Sequence, residues 1–156
     1  MNHQTKSTLP NLLGYAGLLP FIVLTVFLFD DHNHFGMWQH FLLSYGAIIL
    51  TFVGALHWSF AMTLPTLPAS KQSSLFLWSV TPSLVAWFAM SIPRFYGFML
   101  LIIFFLLALW RDESLAKKVS LAPWYLPLRR NLTLVATLCL LIGALATKSH
   151  LMSYQM

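Results

Sequence analysis

The sequence predicts an all-α protein, an integral membrane bundle of five transmembrane helices with its N-terminus cytoplasmic and its C-terminus periplasmic. Three observations carry that reading. Of 156 residues, 58% are hydrophobic and 8% charged, against about 25% charged in an ordinary soluble domain. The charges leave long apolar runs between Lys6 and Asp30, Asp31 and Lys71, Lys71 and Arg94, Arg94 and Arg111, and Arg130 and Lys148, each able to cross a bilayer. The net charge of +5 comes from basic residues that punctuate those runs. Membrane loops look like this, whereas a nucleic-acid interface needs a basic stripe, so no nucleic-acid partner is expected. A mean hydropathy of +0.73 agrees.

The first span, about 11–29, follows a tail with one Lys and no Arg. Asp30-Asp31 close it without a small-x-small cleavage site, so it reads as an uncleaved span and not as a signal or transit peptide. Pro20 lies inside it and predicts a kink. The second, 38–62, is the richest in small residues. Ala47, Thr51, Ala55 and Ser59 recur every four residues, and Gly46 and Gly54 lie on an adjoining strip that continues through His57 to Ala61. Lipid tails are as apolar as Leu, so small residues mark where helices approach, and this helix is expected at the centre. The third, 73–92, contains Pro82, with Ser79, Thr81 and Ser83 around it to re-satisfy freed carbonyls. Trp78 and Trp87, nine residues apart, face opposite sides of it. The fourth, 95–110, is the shortest. Between Met99 and Leu109 its only small residue is Ala108, so it is expected to face lipid or another protein. The fifth, 131–147, carries a seam of Thr133, Ala136, Gly143 and Thr147. No internal repeat divides the chain, which reads as one domain over 1–156.

Orientation follows from loop charge. With the N-terminus inside, Lys6, Lys71, Arg111, Lys117, Lys118, Arg129 and Arg130 are inner, while only Arg94 and Lys148 are outer. Seven against two satisfies the retention of Lys and Arg on the cytoplasmic side, and the expected location is the bacterial inner membrane. The longest connection, 111–130, is then a basic inner loop. Within it Asp112-Glu113 and Lys117-Lys118 suggest a short helix with acids in its first turn and a Glu113–Lys117 pair, stopped by Pro123. Trp124 and Tyr125 suit the headgroup level as the chain re-enters the membrane.

His57 is the one ionisable side chain well inside a span. Such a residue is costly in hydrocarbon and marks a functional site, or it hydrogen-bonds a neighbouring helix and does nothing else. Depth places His57 and Trp58 near the inner end of the second span, Asp112 beyond the inner end of the fourth, and Arg129 before the inner start of the fifth. A His, a carboxylate and a guanidinium at one rim, with Trp58, Trp124 and Tyr125 beside them, have the chemistry to hold an amphipathic ligand or a partner's loop. They have equally the chemistry of an ion-pair clasp. His32 and His34 with Asp30 and Asp31 are metal-ligand types, yet His-x-His in a polar loop reads as a solvated turn, and no metal is assigned. His40 begins the same helix as His57 at the opposite membrane face, so no bis-His haem site forms. One cysteine, Cys139, excludes an intramolecular disulfide. Walker, dinucleotide-binding and nucleophile-elbow signatures are absent, and no cofactor is indicated.

Four blocks resemble a known family. They are Leu13-Gly-Tyr-Ala-Gly-Leu-Leu-Pro-Phe21, Tyr45-Gly-Ala with Phe52-Val-Gly-Ala-Leu-His-Trp58, Trp78-Ser-Val-x-Pro-Ser-Leu84, and Trp124-Tyr-x-x-Leu-Arg129-x-x-Leu-Thr133. Together they are similar to the domain-of-unknown-function family numbered 3429, the transmembrane protein 69 family, over nearly the whole chain. Ala55 stands where that pattern usually has a second glycine. The resemblance implies a small multi-span protein of bacterial inner membranes and mitochondria and brings no established activity.

Three functions fit these readings. The first is a non-enzymatic accessory or assembly factor of a larger membrane complex, or a homo-oligomer. The second is a binder or carrier of a small amphipathic molecule, such as a quinone, tetrapyrrole or lipid, near the cytoplasmic face. The third is an intramembrane enzyme using His57 and Asp112. An apolar cavity between the second, third and fifth helices, open towards Trp124, would favour the binder, and a solid interior the accessory protein.

Overall fold

The computed structural model describes residues 5–63, 68–119 and 121–153, and every element among them is helical. The order is α1 (Thr5–Ala16), α2 (Leu19–Asp30), a short 3-10 turn (His32–His34), α3 (Phe35–Thr63), α4 (Ala69–Ser91), α5 (Arg94–Ala116) and α6 (Tyr125–Ser153). Among the described residues five segments are long and apolar enough to cross a membrane, with α1 and α2 together making the first, Thr8–Asp30.

Pro20 breaks the first span outright instead of bending it. It sits in the opening turn of α2, where its missing N–H costs least. Gly17 N–H bonds Leu13 and Leu18 N–H bonds Tyr15, both at 3.0 Å, so the chain tightens over the break. Tyr45 donates its hydroxyl to the Gly17 carbonyl at 2.7 Å and ties the break to α3.

As expected from its small residues, α3 is central and packs against α2, α4, α5 and α6. The buried strip is Gly46, Val53, Gly54, His57 and Ala61, while Ala55 and Ser59 are exposed. Of the two adjoining strips, the one with the glycines is used because it permits the closest approach. A Cβ on Gly54 would stand 2.9 Å from Pro82 Cγ and 3.0 Å from the Ser79 carbonyl, so α3 and α4 meet there without a gap. Gly143 lies likewise against Leu42 and Phe98, and Gly46 against Leu140 and Leu101. Phe21, Leu42, Leu50, Phe98, Leu101, Phe105 and Leu140 fill the core between these seams.

One expectation about α5 holds in part and another is corrected. Most of its residues stay outside the core, with Tyr96, Ile103, Leu106, Leu107 and Trp110 exposed, but Gly97, Phe98, Leu101, Phe105, Ala108 and Asp112 form a buried stripe against α3, α4 and α6. Reading only for small residues missed this, because large aromatic side chains fill the same interface. The charged segment after Trp110 is also no separate helix. It continues α5 to Ala116, so Asp112 and Glu113 occupy a last turn and not a first one. Since α6 begins at Tyr125, the connection shrinks from 111–130 to 117–124. Glu113 pairs with Arg130 at 2.8 Å instead of with Lys117.

The end of the bundle remote from His57 has its own polar clasp. Gln39 Nε2 donates to the Thr147 hydroxyl at 2.7 Å, and both residues are buried. Nearby, Asp31 accepts the Trp38 indole N–H at 3.1 Å and faces His34 Nδ1 at 2.9 Å. The Trp38 bond, reinforced by His34, holds the Asp31 carboxyl below its ordinary range. The side chain of His32 lies outside the described residues.

Candidate functional site

Three helices converge at the end of the bundle where α3 finishes and α6 begins. α3 contributes His57, the last turn of α5 contributes Asp112, and the first turns of α6 contribute Tyr125 and Arg129. His57 and Asp112 are 0% exposed and Arg129 6%. Asp112 is the hub: its Oδ2 accepts Arg129 Nε at 2.8 Å and its Oδ1 accepts the Tyr125 hydroxyl at 3.1 Å. His57 Nε2 stands 3.5 Å from Oδ1. A carboxylate cut off from water is tolerated only when paired and hydrogen-bonded, and this one has a guanidinium, a phenol and an imidazole around it.

The arrangement leaves donors over. Arg129 spends Nε on Asp112, while its Nη2 is buried with no partner, and so is the hydroxyl oxygen of Thr133. These residues lie four apart on α6, hence on one face. Both line a cavity of about 370 Å³ that runs from Trp124 and Tyr125 towards the middle of the bundle. Its other walls are apolar: Leu13, Gly14 and Phe21 from the first span, Phe52 and Leu56 from α3, Leu132 and Ala136 from α6. The volume falls in the range of small-molecule sites, and a mostly apolar lining with a few placed polar groups is their usual make-up.

The cavity lies between the first, second and fifth spans, and not between the second, third and fifth, where an opening would have favoured a binder from the sequence. The reason is the Gly54–Pro82 contact, which closes the space between α3 and α4. The break at Pro20 instead leaves room under the first span, where Gly14, Gly17 and Leu18 line the void.

Of the residues singled out from the sequence, His57, Asp112, Tyr125 and Arg129 meet, and Trp124 lines the cavity beside them. Trp58 does not join them. It is 48% exposed and packs edge-on against Phe76, 4.9 Å between ring centroids. Helical phase explains this, since Gly54, His57 and Ala61 share the inward face and Trp58 is turned about 100° from His57. His57 and Asp112 do not line the cavity, and Arg129 and Tyr125 stand between Asp112 and it.

The chain matches the model of the family described as "Protein of unknown function (DUF3429)" over residues 7–145. It belongs to this family. Among curated proteins it is similar to "Transmembrane protein 69" of Xenopus tropicalis, with 28% identity over 137 residues, covering 88% of this chain and 53% of that protein. The chain thus spans about half the length of that relative. No solved structure matches it. In this DUF3429 member the blocks around His57 and around Trp124-Tyr125-Arg129 are brought to one end of the bundle, with Asp112 between them.

Sequence reasoning missed Thr133 as a site residue, because a Thr in a helix seam looks like any packing residue. It missed Arg111 as well, whose guanidinium lies 4.6 Å over the Trp78 ring and whose Nη2 reaches Ser74. Trp78 on the inward side and Trp87, 71% exposed, do face opposite ways.

Proposed function

We propose that this multi-span membrane protein binds one small amphipathic molecule, with its apolar body in the cavity and an oxygen acceptor against Arg129 Nη2 and the Thr133 hydroxyl. The observation that supports this reading is the pair of unpartnered buried polar atoms on one face of α6, carried by two residues that line the same otherwise apolar void. Leaving such groups unmade costs about 1–3 kcal/mol each, and a ligand oxygen removes that cost. Asp112 already neutralises Arg129, so an uncharged acceptor, such as a quinone or ester carbonyl, suits the site better than a second anion in so dry a place.

The void also reverses the preference drawn from sequence. A solid interior would have supported an accessory or assembly role; an open one supports the binder. An enzyme using His57 and Asp112 is disfavoured because neither side chain reaches the cavity. We further propose the bacterial inner membrane as location, with the N-terminus cytoplasmic and the C-terminus periplasmic, on the seven-to-two distribution of Lys and Arg.

Purification from native membranes in mild detergent, followed by solvent extraction, tests the reading. One carbonyl-bearing amphiphile near one per chain supports it. Stoichiometric partner proteins with no enriched small molecule would support the accessory role instead.

A further inference from the structure

We propose that a groove between α4 and α5, at the end of the bundle that holds His57, binds a phosphate-bearing anion, and that the occupant is the headgroup of an anionic phospholipid. This site is separate from the cavity on α6. Lys71, Arg111 and Lys118 line it together with Ser74, around a volume of about 240 Å³.

No carboxylate balances these three cations. The chain has four acidic residues. Asp30 and Asp31 belong to the opposite end of the bundle, Asp112 is committed to Arg129, and Glu113 to Arg130. Both acids of this end therefore serve α6, and Lys71 and Lys118 make no ion pair among the described residues. Three like charges beside low-dielectric surroundings repel, and an anion between them removes the repulsion.

Arg111 is already held in place. Its Nη2 reaches both the carbonyl and the hydroxyl of Ser74 at 3.2 Å, and its guanidinium lies over Trp78. Little side-chain freedom is lost when it meets a phosphate. The lipid source follows from what borders the groove. Leu75 and Leu115 are at its floor, and Trp110, 62% exposed, stands at its edge. An indole suits the headgroup level, and basic pockets between membrane helices are established binders of anionic headgroups. Acyl chains would run down the exposed apolar flank that starts at Leu77.

The test uses the full chain in mild detergent, with its melting temperature measured on adding phosphatidylglycerol, phosphatidylcholine or inorganic phosphate. Phosphatidylglycerol should raise it by several degrees and phosphatidylcholine should not. In the doubly substituted Lys71→Gln/Lys118→Gln protein, affinity for phosphatidylglycerol should fall about thirtyfold, equivalent to about 2 kcal/mol, while Lys148→Gln at the other end keeps it. If inorganic phosphate reproduces the shift and the double substitution abolishes it, the phosphate site stands and the lipid source falls. Equal shifts with both lipids, or an undiminished shift in the double variant, overturn the site. Should that variant not fold, native mass spectrometry of the wild-type chain decides: one retained anionic phospholipid supports the proposal, and none contradicts it.

Discussion

Arg129 gives Nε to Asp112 at 2.8 Å and keeps Nη2 buried and unpartnered, and the residue is part of the cavity wall. One residue thereby neutralises a carboxylate inside the bundle and holds a spare donor within the wall of a void. The carboxylate fixes the direction of that donor, because the guanidinium is planar and one edge is already occupied.

Breaking this pair should cost far more than exposed charges would suggest. Asp112→Asn and Arg129→Gln each leave an uncompensated buried charge, and each should destabilise the folded protein by about 3–5 kcal/mol. The double variant should lose less than the sum of the two, by at least about 1 kcal/mol, in thermal melts in detergent. Additive losses would mean that the pair is not coupled.

Gly97 is expected to be intolerant. A Cβ there would collide with the Ala89 carbonyl oxygen, a backbone atom that cannot swing aside, whereas one on Gly36 would meet only Arg94 Nη1 at 4.0 Å. Gly97→Ala should cost about 1–3 kcal/mol by overpacking between α4 and α5. Gly36→Ala should change the melting temperature little.

Asp31 gives a pH dependence with a definite sign. The Trp38 indole bond, with His34 alongside, lowers its carboxyl below the ordinary 3.8. A depressed folded value means a stabilising contribution that is present above the unfolded value and lost as pH falls through the folded one. Melting temperatures of wild type and Asp31→Asn should therefore differ between neutral pH and about pH 4, and converge below that. A difference that persists at the lowest pH would show that the carboxylate charge is not its source.

The proposed orientation predicts that a reporter active only in the periplasm gives signal when fused at Met156 and none when fused at Lys118. The opposite pattern would invert the assignment and move the site to the outer face.

How much of this could be read beforehand depended on what each residue's chemistry announces. Charges announce depth, so the five spans and the meeting of His57, Asp112 and Arg129 at one end were legible. The true ends of α5 were not, because backbone hydrogen bonds carry the helix past Arg111 to Ala116 whatever the side-chain polarity. Nor was the wall of the cavity: a Leu facing lipid and Leu13 facing a void have the same sequence signature, and only the Gly54–Pro82 contact decides which helices are pressed together. The direction of Trp58 was recoverable from helical phase.

Native mass spectrometry of the wild-type chain beside Thr133→Val and Val53→Phe tests the binding account most directly. Val53 and Thr133 line the cavity; Val53→Phe fills it with apolar volume, and Thr133→Val removes an unpartnered hydroxyl without changing shape. The account predicts a bound small molecule near one per chain in wild type, reduced about fivefold in Thr133→Val, as for loss of one hydrogen bond, and absent from Val53→Phe, with both variants folded. A wild-type chain that carries no such molecule, or variants that carry it undiminished, would contradict it.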